Sequence, residues 1–226
     1  MVRPTRRQQI PQLQEAIKET AWRQIAETGA AALSLRSIAR ELGITAPAIY
    51  NYFADRDALV TALIVDAYTS LGESQIEAIA VLPEADLKAR FKALGLAYRE
   101  WAITHPQRYQ LIFGTPIPNY VAPDDITFPA AANAIVPLAN TVQALHSSGQ
   151  LHAERLAPMT PALQSMLEAW QKIQPADIEV LYMTVVIWSR VHGLVMLEIG
   201  HHNPAVITDP GEIFRREIDT MTLQYL

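Results

Sequence analysis

Apolar residues return every three or four positions along nearly the whole chain, and no convincing run shows the two-residue alternation of a strand. Leu13, Ile17, Ala21 and Ile25 recur every four residues and Gly29 follows, which predicts a helix over 12–28. Ser34 stands where an N-cap belongs, ahead of Leu35, Ile38, Ala39 and Leu42, and Gly43 stops that second helix. Thr45 caps a third, very short helix whose inward residues are Ile49 and Phe53. Asp55 caps a fourth, with Leu59, Leu63, Ala67 and Leu71 as its stripe down to about residue 80. Past Pro83 the same reading places helices at 84–104, 106–113, 128–147, 161–173, 176–201 and 210–224. Four prolines in GTPIPNYVAPDDITFP make 114–129 a loop, and Pro137 predicts a kink or an earlier boundary in the helix that follows. Asp209, Pro210 and Glu212 give the last helix a capping-box start. The fold class expected is all-α.

Composition narrows the classes. The chain has 226 residues, half of them hydrophobic and 18% charged, enough for a packed core in one or two domains and unlike a disordered chain. The absence of cysteine excludes a disulfide framework, a thiolate zinc site and a Cys nucleophile, and fits a reducing interior. MVRPTRRQQIPQLQE has no apolar run of the secretory kind, so a cytoplasmic location is expected. Residues 180–199 are the most hydrophobic stretch, but Arg190, His192 and Glu198 mark a buried helix rather than a membrane crossing. His105, His146, His152, His192, His201 and His202 show no H-E-x-x-H pattern, and Asp124-Asp125 reads as a solvated turn. With no Gly-rich phosphate loop, nucleophile elbow or nicotinamide fingerprint either, no catalytic residue, metal or cofactor is expected.

Charge is distributed unevenly. Seven basic residues against four acidic ones give residues 1–53 a charge of +3, which leaves −8 on the rest of a chain whose total is −5. A small basic head on an acidic body still neutralises phosphates locally, because distant charges are screened. Within that head, SLRSIARELGITAPAIYNYF reads as two helices joined by a tight turn at Gly43. The second of them turns only Ile49 and Phe53 inward, leaving Thr45, Ala46, Ala48, Tyr50, Asn51 and Tyr52 at least partly toward solvent. Small residues in front and hydrogen-bonding residues behind suit insertion into a major groove; a solvated helical hairpin is the plainer alternative.

The residues around the hairpin decide between these. AWRQIAETGAAALSLRSIARELGITAPAIYNYFADRDAL, taken as one unit, resembles the N-terminal domain of TetR/AcrR-family transcriptional regulators. The features that carry the resemblance are Gly29, Ser34, Ile38-Ala39, Gly43, Tyr50 to Phe53, and Asp55-Arg56. One departs from the pattern: Arg56 stands where the family usually has Lys, so a phosphate contact there would have different geometry. The resemblance implies base contacts from Thr45, Ala46, Ala48, Tyr50 and Asn51, and phosphate contacts from Ser34, Arg36, Tyr52 and Arg56. Arg3, Arg6 and Arg7 form either an arm toward the duplex or a solubilising tail. Residues 1–55 would be the DNA-binding domain and 56–226 a regulatory and dimerisation domain.

The C-terminal part resembles a subgroup named for a Trp-His-Gly signature, here Trp188, His192 and Gly193, and YREWAITHPQRYQLIFGTPIPNY is similar to its fifth and sixth helices. That resemblance implies an effector cavity among the fifth to eighth helices, with Tyr98, Trp101, Phe113, Met183, Trp188 and His192 as candidates; ordinary core packing is the alternative for each. The loop at 114–129 would be a lid or a passive connection. A helix apolar on nearly all sides needs cover on nearly all sides, and a second subunit often supplies part of it. Ile187, Val191 and Val195, with Ile213, Phe214 and Ile218 of the last helix, are the candidate dimer contacts. The partners expected are a palindromic double-stranded operator, a small-molecule effector that releases it, and a second copy of the chain. The rival readings are an interaction protein that has lost DNA binding and an all-α enzyme built on the C-terminal cavity.

Overall fold

The computed structural model describes the backbone of residues 6–152 and 156–226, and within them the side chains from residue 12 onward. Among the described residues there are ten α-helices, one 3-10 turn (Ala30–Ala32) and no strand. The helices are α1 (Arg6–Thr28), α2 (Leu35–Glu41), α3 (Ala46–Ile49), α4 (Arg56–Ala80) and α5 (Leu87–Thr104), then α6 (Pro106–Phe113), α7 (Asp124–Ser147), α8 (Pro161–Gln171), α9 (Ile178–Ile199) and α10 (Pro210–Tyr225). Packing divides the chain into two compact units. One runs from α1 to Thr69 and takes in His105–Ala131; the other is Ser70–Thr104 with Ala132–Leu226. Both α4 and α7 contribute residues to each unit.

The first unit is punctuated by the residues the sequence singles out. Gly29 takes φ 79° where α1 stops, a conformation that costs glycine little. Ser34 Oγ accepts from Ser37 N at the start of α2, and Asp55 Oδ1 accepts from Ala58 N at 2.7 Å at the start of α4. Gly43, at φ 65°, ends α2, and the Ile44 amide turns back to the Ala39 carbonyl at 3.0 Å. Ile17, Ala21, Ile38, Ile49, Leu59 and Leu63 are fully or almost fully buried together in the core. From α6, the Arg108 guanidinium lies 5.2 Å over the Trp22 ring of α1.

The second unit is built around α9, which buries seven residues from Val180 to Val195 and packs against α5, α8 and α10. It is the one helix, among the described residues, long and apolar enough to cross a membrane, and here it is a partly buried core helix. Gly95 explains how closely α5 meets α10, since a Cβ there would stand 2.4 Å from Ile218 Cδ1. Arg99 donates to both carboxylate oxygens of Glu198, at 2.8 and 2.6 Å, in a largely buried pair.

Three expectations about the elements are corrected. α7 starts at Asp124, inside the stretch read as a loop, because the Pro123 carbonyl accepts from Ile126 N and Thr127 N and two aspartates suit its first turn. No boundary falls at Pro137, whose missing N–H leaves the carbonyl four residues back without its helical donor. That carbonyl, on Asn133, faces Gly72 of α4 so closely that a Cβ there would be 3.0 Å away, and Gln75 Nε2 donates to the next one, Ala134, at 2.8 Å. Finally, Thr45 precedes α3 in an extended conformation but makes no side-chain capping bond.

Candidate nucleic-acid interface

Four residues make α3, and one of them, Ile49, is buried. A helix this short is unstable in isolation. Complete burial of one isoleucine contributes about 2–3 kcal/mol, so α3 is held by its neighbours. Its turn continues past the helix: Tyr52 N and Phe53 N both reach the Ile49 carbonyl, at 3.0 and 3.1 Å. Phe53 is thereby drawn into the core, and Thr45, Tyr50 and Asn51 stay exposed, Tyr50 at 45%. Ala46 and Ala48 sit between them, half-buried and small. Tyr52 is half-buried and packs against the core.

α2 is fixed in front of α3 by a brace from α1. Arg23 donates to Glu41 Oε1 from Nε at 3.1 Å and Nη2 at 2.5 Å, while Gln24 Nε2 reaches Glu41 Oε2 at 2.9 Å and Ser37 Oγ at 3.3 Å. These bonds, from Gln24 first and then Arg23, hold the Glu41 carboxyl below its usual range. Sequence reading missed this brace, because nothing in spacing pairs residues 17 and 18 apart across a turn. Arg36 is exposed on α2, and Ser34 is already engaged as the N-cap.

Arg56, expected at a phosphate with a geometry unlike that of lysine, is engaged within the chain. Its Nη2 donates to the Ala30 and Ala31 carbonyls at 3.1 and 3.2 Å, and Nη1 lies 3.4 Å from Asp57 Oδ1. The guanidinium therefore ties the turn after α1 to the start of α4. Of the proposed N-terminal arm, Arg3 and the side chains of Arg6 and Arg7 lie outside the described residues.

The effector candidates do not form one site. Tyr98 and Trp188 line a narrow apolar hollow of about 30 Å³, together with Gln75, Phe91, Leu94 and Leu138. Tyr98 Oη lies 2.9 Å from His192 Nδ1, and the Trp188 and His192 rings are 5.0 Å apart and tilted by 37°, so these three residues form one group at the hollow. Burial lowers the His192 pKa from its ordinary value. Trp101 donates to Ser70 Oγ at 3.0 Å, and Met183 is buried; neither lines the hollow. Phe113 belongs to the other unit, packed edge-on against Tyr68.

Five of the six dimer candidates are placed inward. Ile187, Val191, Val195, Phe214 and Ile218 are buried within the chain's own core, and Ile187, Val191 and Ile218 line the hollow just described. Only Ile213 is exposed, at 40%. The periodicity that marks an apolar stripe cannot say whether its own chain or another covers it. The outward row of α9 is instead Val185, Ser189, Gly193 and Leu197. A Cβ added at Gly193 would meet nothing within 4 Å, so among the described residues no contact explains that glycine.

Residues 17–63 match the family model described as bacterial regulatory proteins of the tetR family, and residues 91–221 match that of the tetracyclin repressor-like C-terminal domain. The HTH-type transcriptional regulators Rv1816 of Mycobacterium tuberculosis and Mb1846 of Mycobacterium bovis are each 34% identical over 216 residues, covering 92% of this chain and 90% of theirs. Among solved structures, the regulatory protein SCO4313 superposes with a TM-score of 0.79 at 36% identity, covering 96% of this chain and 98% of that one. A TetR protein of Acinetobacter baumannii, solved in complex with minocycline, shares the fold at 17% identity and a TM-score of 0.53, covering 92% and 93%. Two matched family regions, relatives aligned over nearly their whole length, and a short helix turned outward on a braced hairpin agree, and the chain belongs to the TetR family of helix-turn-helix, DNA-binding transcriptional regulators, a family without enzymatic activity.

Proposed function

We propose that the chain is a cytoplasmic, homodimeric repressor that a small molecule releases from a palindromic operator. The observation that carries the DNA reading is α3 itself, too short to be explained by what it buries and with Thr45, Tyr50 and Asn51 exposed beside small Ala46 and Ala48. Those five residues would read base edges, while Ser34, Arg36 and Tyr52 would meet phosphates. Residues 1–55 carry recognition, and 56–226 carry sensing and pairing. Two α3 helices related by a two-fold axis would enter major grooves about one turn apart.

Gly193 supports the pairing surface. Glycine inside a helix costs about 1 kcal/mol relative to alanine, and at an open, outward position a second backbone approaching closely is what makes it worth keeping. We therefore place the interface on Val185, Ser189, Gly193 and Leu197, with Ile213 and Leu223 of α10. The ring contact of Trp188 and His192 ahead of Gly193 supports the Trp-His-Gly subgroup. The narrow apolar hollow beside them, with Tyr98 at its wall, is the effector cavity of this reading, and at about 30 Å³ it would have to widen around an effector.

DNase footprinting on the DNA flanking the chain's own gene tests the proposal. The expected result is a symmetric protected site whose affinity falls steeply between low and moderate salt. No protection at any salt, or an asymmetric single half-site, overturns it. In sedimentation equilibrium, Gly193→Leu should yield folded monomers; an unchanged dimer places the interface elsewhere.

A further inference from the structure

Base pairs differ in the major groove by their hydrogen-bonding pattern and by the 5-methyl group of thymine, and each feature has its own partners among side chains. Guanine is read by two parallel bonds from Arg or Lys, and cytosine by a carboxylate that accepts from its amino group. Residues 42–54, which hold all of α3 and the turns on either side, contain no Lys, Arg, His, Gln, Asp or Glu. α3 therefore carries neither reader of a G·C pair.

The cations around α3 are mostly engaged within the chain. Among residues 12–57, Lys18 is paired with Glu15 and Asp66, Arg23 with Glu41, and Arg56 with the Ala30 and Ala31 carbonyls. Arg36 and Arg40 are exposed, but both stand on α2, and Arg40 Nη2 donates to Ser37 Oγ at 3.4 Å.

Methyl groups are what α3 presents instead. Thr45, Ala48 and Asn51 follow at three-residue steps, the Thr45 carbonyl accepting from Ala48 N at 2.9 Å and the Ala48 carbonyl from Asn51 N at 3.3 Å. They form one row, with half-buried Ala46 beside it. Thr45 is exposed and its side chain makes no capping bond, so its methyl and its hydroxyl are both left for a partner. Asn51, exposed at the far end of the row, has an amide that matches the N7 acceptor and amino donor of adenine. The Tyr50 hydroxyl makes single bonds as donor or acceptor, which do not tell one pair from another.

We propose that α3 is a reader of A·T pairs, with Thr45, Ala46 and Ala48 packing their methyl groups against thymine methyls and Asn51 bonding an adenine. This preference rests on the operator-binding reading above and fixes which base pairs that operator holds under α3.

Selection of duplexes from a random-sequence pool by the full-length protein, followed by remaking the enriched duplex with single-group changes, tests it. Symmetric half-sites rich in A·T pairs are expected. Uracil in place of thymine removes only the 5-methyl, and should weaken binding about fourfold for each contacted methyl, the worth of one buried methyl group. Adenine without N7 (7-deazaadenine) should weaken the wild-type chain and leave Asn51→Ala unaffected, while 7-deazaguanine should change nothing. Thr45→Ser removes one methyl and keeps the hydroxyl, so it should lose affinity on the thymine duplex and none on the uracil duplex. Thr45 and Asn51 are exposed, so circular dichroism should show both variants folded. Binding that survives every uracil replacement overturns the preference, and if 7-deazaguanine then weakens it, base reading passes to Arg36 or Arg40 of α2. A pool in which no sequence is enriched overturns the operator-binding reading itself.

Discussion

α3 and α9 are opposite solutions to the same problem of keeping a helix. α9 runs for 22 residues and buries seven of them, so packing alone accounts for its sequence. α3 has four residues and buries one, and it persists because α1, α2 and α4 hold the ground beneath it. The difference separates two ways in which a side chain comes to matter. Along α9, a residue matters through what it touches inside, and any ligand must enter a hollow between such residues. Along α3, the residues that matter touch little within the chain, because their partner is another molecule.

The largest effect that tests this contrast is on α9. Leu181 is fully buried, and Leu181→Ala should cost about 3 kcal/mol in denaturant unfolding, through lost burial and the cavity it leaves. A loss under 1 kcal/mol would mean that α9 is not a packed core helix. On α3 the expectation reverses. Tyr50→Ala should leave unfolding stability within about 0.5 kcal/mol, as an exposed position allows, yet weaken operator binding about tenfold in a gel-shift titration. A variant that binds DNA normally but unfolds early would make α3 a structural helix after all.

Arg56 lies between these extremes and sharpens the boundary. Arg56→Ala should destabilise the protein by about 1 kcal/mol, because two carbonyls of the 3-10 turn lose their charged donor and the group is partly solvated. Arg56→Lys should recover only part of that stability, since one ammonium cannot reproduce the fork. If the alanine variant keeps its stability and loses only salt-sensitive DNA affinity, Arg56 is a phosphate ligand and not a brace.

The contrast also explains what was legible in the sequence. Ser34, Gly43 and Asp55 act locally, through their own turn, and each does in the fold what its position announces. The short outward helix was legible for the same reason, since Ile49 and Phe53 are the only inward residues its length allows. Direction on a long apolar helix was not. Ile187 and Val191 repeat with a period that fits a dimer seam and a cavity wall equally well, and the tertiary packing of α5 and α10 decides for the wall. Proline counting held for 114–123 and failed at 124–129, because prolines close to a helix start forfeit few internal bonds, which lets α7 begin at Asp124. Arg23 and Glu41, or Gln75 and Ala134, meet only through the fold, and no local rule finds them.

His192 provides the smallest test, and it probes how far the interior of α9 extends. Its ring lies 5.0 Å from Trp188 and accepts or donates a bond with Tyr98, and burial disfavours its charged form. The folded chain therefore binds a proton at His192 less readily than the unfolded chain does. By linkage, stability from this group is complete above the ordinary histidine pKa of about 6.5 and is lost as pH falls toward the lowered value. His105, at the start of α6, shifts in the same direction, by burial first and then by Arg108, so the wild-type slope combines both. His192→Gln should flatten the decline in unfolding midpoint between neutral pH and mildly acidic pH, leaving the part that His105 supplies. In an NMR titration, the His192 imidazole should titrate below the free histidine value. A His192 that titrates at the free histidine value would put its ring in water, and the buried surface of α9 would then end before Trp188 and His192 rather than include them.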